Sequence, residues 1–141
     1  MFGIGKPKRR VLIVDDNMSL ASGLQKVFKK QGILSDLAHS PNGLRRSFEN
    51  PEPWAIVLDI KLGDVNGLEL IPEVRTKWPS VPIIMITGQG YDDTLMEEAR
   101  AQGAQGYVSK LVSPMEIVAA VTRVLEHGEK YKTTRVPKIE R

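Results

Sequence analysis

At 141 residues the chain fits one domain and is long enough to bury a core without disulfide or metal staples. It contains no cysteine, which excludes disulfides, thiolate metal sites and cysteine nucleophiles. No apolar run approaches the span a bilayer requires, and the basic start lacks the apolar stretch of a signal peptide, so a cytoplasmic protein with no membrane partner is expected. The formal charge of +3 divides unevenly: Lys6, Lys8, Arg9 and Arg10 give the first ten residues +4, and the stretch after Gly128 carries +3. Residues 11–128 are therefore left at −4. An acidic core with basic ends does not indicate nucleic-acid binding by the core, and the ends read first as solvated termini.

In chain order, Val11 to Val14 is a continuous apolar run too short for a helix and suited to a buried strand. Met18 to Gln31 follows as a helix with Leu20, Leu24, Val27 and Phe28 on one face, closed by Gly32. Ile33 to Ala38 is a second strand, and Ser40-Pro41 supplies the cap and first residue of a short helix through Phe48. After the Asn50 to Pro53 loop, Trp54 to Leu58 is a third buried strand. Asn66 can cap a helix from Gly67 to about Lys77, within which Pro72 should remove one backbone bond and bend the first turns. Pro82 to Ile86 is a fourth strand, Asp92 to Gln102 a polar helix, and Gln105 to Val108 a fifth strand. Ser113 to Glu116 combines a first-turn proline with a capping box. The helix it opens carries Ile117, Val121, Val124 and Leu125 on one face and should stop at Gly128.

Five strands alternating with five helices imply an α/β domain, a parallel sheet covered on both faces. In such sheets ligands sit beyond the carboxyl ends of the strands. That rule singles out Asp15 and Asp16 after the first strand, Asp59 after the third, Thr87 after the fourth and Lys110 after the fifth. Each alone is weak, since a strand-end aspartate is ordinarily a cap or turn residue; the set is not. Three crowded carboxylates would resist ionisation unless a divalent cation joined them, and an oxygen-only donor set suits Mg²⁺. Zinc is a poor fit, because His39 and His127 are far apart in sequence and there is no thiol. A carboxylate can attack phosphorus directly, and Mg²⁺, the Lys110 ammonium and the Thr87 hydroxyl could stabilise the charge on the transferring group.

Val-Leu-Ile-Val-Asp-Asp-Asn (11–17), Ile-Val-Leu-Asp-Ile-Lys-Leu (56–62), Asn-Gly-Leu-Glu-Leu (66–70), Ile-Met-Ile-Thr-Gly (84–88) and Gly-Tyr-Val-Ser-Lys (106–110) together resemble the receiver domain of two-component response regulators. The resemblance runs from about Arg10 to Gly128. It implies a flavodoxin-like, doubly wound sheet of order 2-1-3-4-5, with Asp59 as phospho-acceptor. It implies Mg²⁺ held by Asp15, Asp16, Asp59 and the Lys61 carbonyl, and phosphoryl oxygens met by Thr87 and Lys110. It also implies Tyr107 as an aromatic that changes rotamer on activation, alongside Thr87 as the switch. The implied donor is a sensor histidine kinase or histidine phosphotransfer protein. The implied output surface is the fourth helix, fifth strand and fifth helix, with a phosphorylation-dependent homodimer as one partner. The chain would be no enzyme in the ordinary sense, catalysing only its own phosphorylation and dephosphorylation. Nucleic acid would be reached only through an output domain absent from these residues.

The expected organisation is a basic extension over 1–9, a receiver domain over 10–128 and a basic tail or linker over 129–141. Two departures from the family pattern stand out. Gly63 occupies a position where the family usually has proline, so the loop after Asp59 should be looser. Leu111 follows Lys110 where the family often has a cis proline. A cis bond there would cost about 3 kcal/mol, so a trans bond is expected. Three rival readings are weaker. A phosphohydrolase typically carries an Asp-x-Asp nucleophile after its first strand, a phosphate-independent binding module should have lost one of the five strand-end residues, and a flavodoxin needs a phosphate-cradling loop after strand one.

Overall fold

The structure, a computed structural model, describes residues 9–89 and 92–127. The expected stop at Gly128 and both basic ends, apart from Arg9 and Arg10, lie outside the described residues. Among the described residues seven strands form: β1 (Arg10–Val14), β2 (Leu34–Ala38), β3 (Ala55–Asp59), β4 (Lys61–Leu62), β5 (Val65–Asn66), β6 (Ile83–Thr87) and β7 (Gly106–Ser109). Four helices lie between the longer ones and a fifth follows the last: α1 (Met18–Lys30), α2 (Pro41–Ser47), α3 (Ile71–Lys77), α4 (Asp93–Ala101) and α5 (Pro114–His127). The main sheet is parallel, in the order β2-β1-β3-β6-β7. With the two-residue strands β4 and β5 set aside, this is the 2-1-3-4-5 order, and the chain has the flavodoxin-like fold.

Strand periodicity sorts the core into two layers. Val11 and Ile13 of β1 face α1 and α5, joining Ala21, Leu24, Phe28, Ile117, Val121 and Val124. Leu12 and Val14 face the other way, with Leu44 of α2, Ile71 and Val74 of α3, and Met96 and Ala99 of α4. Helices thus cover both faces, which is why the central strands read as unbroken apolar runs rather than alternating ones. Each fully buried Ile, Leu or Val contributes about 1.5–3 kcal/mol. The loops at the carboxyl end are therefore carried on a stiff platform.

Helix starts follow the expected caps. Ser40 Oγ accepts from the Gly43 N–H at 3.0 Å. In the capping box at α5, the Glu116 N–H donates to Ser113 Oγ at 3.2 Å and the Ser113 N–H donates to Glu116 Oε2 at 3.3 Å. The segment after Asn66 departs from expectation. Asn66 caps a 3₁₀ turn over Gly67–Leu70, and α3 begins only at Ile71. Pro72 therefore sits in the first turn of α3, where its missing N–H would have had no intrahelical acceptor, so it breaks no bond of that helix. The β4–β5 hairpin was not anticipated from sequence; two-residue strands are too short to show a period. The chain contains no cis peptide among the described residues, so the Lys110–Leu111 bond is trans.

Candidate functional site

The carboxyl ends of β1, β3, β6 and β7 gather all five strand-end residues. Asp59 and Thr87 are the final residues of β3 and β6, one step earlier than a position after the strand, and both are 2% exposed. Asp15 follows β1 and is buried, while Asp16 beside it is exposed. Lys110 follows β7 and reaches back across the sheet end. Its Nζ donates to Asp59 Oδ2 at 2.8 Å and lies 2.9 Å from Asp15 Oδ2. One carboxylate oxygen from each of Asp15, Asp16 and Asp59 falls within 4.8 Å of the others.

Backbone N–H groups fix all three acids. The Asn17 N–H donates to Asp15 Oδ1 at 2.8 Å, and the Lys61 N–H donates to Asp59 Oδ1 at 3.1 Å. The third bond crosses the site: the Gly63 N–H, in the turn of the β4–β5 hairpin, donates to Asp16 Oδ2 at 3.1 Å. Thr87 Oγ1 accepts from the Gln89 N–H at 3.2 Å, and the Thr87 carbonyl accepts from the Lys110 N–H at 2.7 Å, so the two residues are tied together. Tyr107 of β7 pairs in register with Met85 and is buried in the layer that holds Met96 and Ala99 of α4.

Electrostatics at Asp59 is a contest that burial wins. Desolvation raises its pKa, the Lys110 hydrogen bond lowers it, and neighbouring Asp15 raises it again; the outcome is a carboxyl pushed up from 3.8 to about 6. Burial pulls the Lys110 ammonium down, but its hydrogen bond to Asp59 and the adjacent charge of Asp15 outweigh that and hold it above its ordinary value. One lysine cannot neutralise three acids. Asp15 Oδ2 is buried and, although the ammonium is close, receives no well-directed hydrogen bond. A buried, under-satisfied carboxylate oxygen beside two further carboxylates is the donor set a hard divalent cation fits. The residues present therefore fit Mg²⁺.

Two glycines matter that sequence reasoning did not place. A Cβ on Gly67 would lie 2.0 Å from the Asp59 carbonyl oxygen, so only glycine allows the 3₁₀ turn to pass this close to the backbone of Asp59. In the sequence Gly63 stands out only as a departure from the family pattern. The sequence signal for both was present, as glycines four and eight residues beyond Asp59, but not what each would touch.

The sequence model of the family described as response regulator receiver domain matches residues 11–122. The chain belongs to this family. As a receiver domain of two-component response regulators it has a signalling fold, and among the described residues no helix is long and apolar enough to cross a membrane. It is 32% identical over 129 residues to the uncharacterized transcriptional regulatory protein YclJ of Bacillus subtilis, covering 89% of this chain and 53% of that one. The receiver thus spans about half the length of that relative. Among solved structures it is similar to a CheY-like receiver domain protein from Methanospirillum hungatei. The TM-score is 0.77 at 26% identity, over 88% of this chain and 98% of the other. It shares its fold with a response regulator from Burkholderia pseudomallei solved with a phosphorylated aspartic acid, a calcium ion and citrate. There the TM-score is 0.74 at 24% identity, over 87% of this chain and 72% of the other.

Proposed function

We propose that this receiver accepts a phosphoryl group on Asp59 from a sensor histidine kinase or a histidine phosphotransfer protein, and signals through the surface of α4, β7 and α5. The observation that carries this reading is the Lys110 ammonium, 2.8 Å from Asp59 Oδ2, on an acid flanked by two further acids at one sheet end. In the transfer, an Asp59 oxygen forms a bond to phosphorus as the P–N bond of a phosphohistidine breaks, and the electron pair leaves with the imidazole nitrogen. No general base is required, because the ionised carboxylate attacks directly. Bound Mg²⁺, held by Asp15, Asp16, Asp59 and the Lys61 carbonyl, would neutralise negative charge on the incoming group. Lys110 meets a phosphoryl oxygen with an ammonium already aimed at the acceptor, and the Thr87 hydroxyl offers a second donor.

The switch follows from what shares those residues. Thr87 is bonded to Lys110 through the backbone, and Tyr107, one strand away, packs against α4. A phosphoryl group drawn to Thr87 shifts a two-state equilibrium in which Tyr107 and α4 repack. The functional unit is the stretch 10–128, flanked by a basic extension over 1–9 and a basic tail over 129–141, and its only catalysis is of its own phosphorylation and dephosphorylation. The test is incubation with a small phosphodonor with and without Mg²⁺. Wild type should gain base-labile phosphate only with Mg²⁺, and Asp59→Asn should gain none. Full labelling of that variant would move the acceptor elsewhere.

A further inference from the structure

Resting on the reading of Asp15, Asp16 and Asp59 as a metal site, the geometry points to Gly63 as the residue that positions Asp16 for the cation. Asp15 and Asp59 are buried, and each is held twice, by the N–H two residues on and by Lys110. Asp16 is exposed and has neither hold. Its carboxylate is fixed instead by the Gly63 N–H, 47 residues away in sequence. An exposed aspartate without such a tether samples several rotamers, and a metal would have to select one of them.

The turn that supplies this donor is built for it. Leu62 and Val65 pair, leaving Gly63 and Asp64 as a two-residue hairpin loop. Gly63 has φ +61° and no described non-glycine residue has positive φ, which is the pattern of a type II′ turn with glycine first. The first central residue of such a turn has no ladder partner for its N–H, so the group is available to a neighbour. The hairpin is itself anchored to the acceptor strand. The Lys61 N–H bonds Asp59, and the Gly67 N–H donates to the Ile60 carbonyl at 2.5 Å. The metal loop after β1 and the loop after β3 are therefore locked together through one N–H. Proline, the residue expected at this position from the family pattern, has no N–H and a φ near −65°, so it could make neither the turn nor the bond. The departure noted in the sequence replaces a stiff residue with a donor.

Backbone-matched variants made by peptide ligation test this. Gly63→D-Ala keeps both the turn and the N–H; Gly63→D-Pro keeps the turn and deletes the N–H. Mg²⁺ affinity by calorimetry should match wild type in the first and weaken by roughly fivefold to tenfold in the second, the fold-change a typical net hydrogen bond carries at an exposed group. In metal-free wild type the Gly63 amide should exchange slowly with solvent, and the protection should vanish in Asp16→Ala. Equal Mg²⁺ affinity for D-Pro and wild type, equal weakening in both D-residue variants, or an unprotected Gly63 amide would each overturn the assignment. A wild type that bound no Mg²⁺ would overturn the metal reading itself, and this inference with it.

Discussion

Asp59→Asn should make the metal-free receiver more stable, and only at pH values where Asp59 is charged. The wild-type carboxyl is 2% exposed and its pKa stands at about 6 instead of 3.8. The folded protein therefore binds this proton more tightly than the unfolded chain does. Stability associated with Asp59 is full below about pH 4, falls as pH rises through the interval to about 6, and stays low above it. A difference of about two pKa units corresponds to roughly 3 kcal/mol as an upper figure. The amide carries no charge to desolvate and no repulsion with Asp15, though it gives up the charged bond from Lys110. The net gain expected at pH 8 in the presence of a chelator is about 1–2 kcal/mol. Urea unfolding at pH 8 and pH 4.5 measures it: the gap should be present at the higher pH and nearly absent at the lower. Saturating Mg²⁺ should raise wild type by binding linkage and narrow the gap. A variant no more stable than wild type at pH 8 without metal, or a gap unchanged at pH 4.5, would refute the account of burial outweighing Lys110.

Other consequences are as concrete. Mg²⁺ should raise the melting temperature of wild type and do so much less in Asp16→Ala; equal shifts would remove Asp16 from the metal site. Gly67→Ala places a methyl 2.0 Å from the Asp59 carbonyl oxygen, so it should cost about 1–3 kcal/mol in denaturant unfolding and slow labelling by a small phosphodonor. Unchanged labelling kinetics would mean that the backbone of Asp59 yields without disturbing its carboxylate. Arg100 is exposed on α4 and paired within its helix to Glu97 at 2.9 Å, a surface pair of small intrinsic value, and mixed charge of this kind can pair across a symmetric contact. Activated wild type should sediment as a larger species than the inactive form, and Arg100→Glu should weaken that difference. An unchanged sedimentation coefficient across micromolar concentrations would assign output to another face or partner.

The order of the elements could be read from the chain because it is written in local signals. Short apolar runs such as Val11 to Val14 suit doubly covered strands and are too short for helices, and Ser40-Pro41 and Ser113-Pro114 mark helix starts through the first turn alone. Asp15, Asp16, Asp59, Thr87 and Lys110 could be nominated because parallel strands expose their carboxyl ends at one edge, so position along the chain implies proximity in space. What each of them meets there could not be read, since hydrogen bonds depend on direction over a few ångströms and not on sequence spacing. Only the folded chain decided that Lys110 lies between Asp59 and Asp15, that burial outweighs its charge at Asp59, and that Pro72 falls in the first turn of α3 where it does no harm. The same holds for the β4–β5 hairpin. Two-residue strands leave no period to detect, yet their turn carries an N–H that reaches Asp16 from across the site.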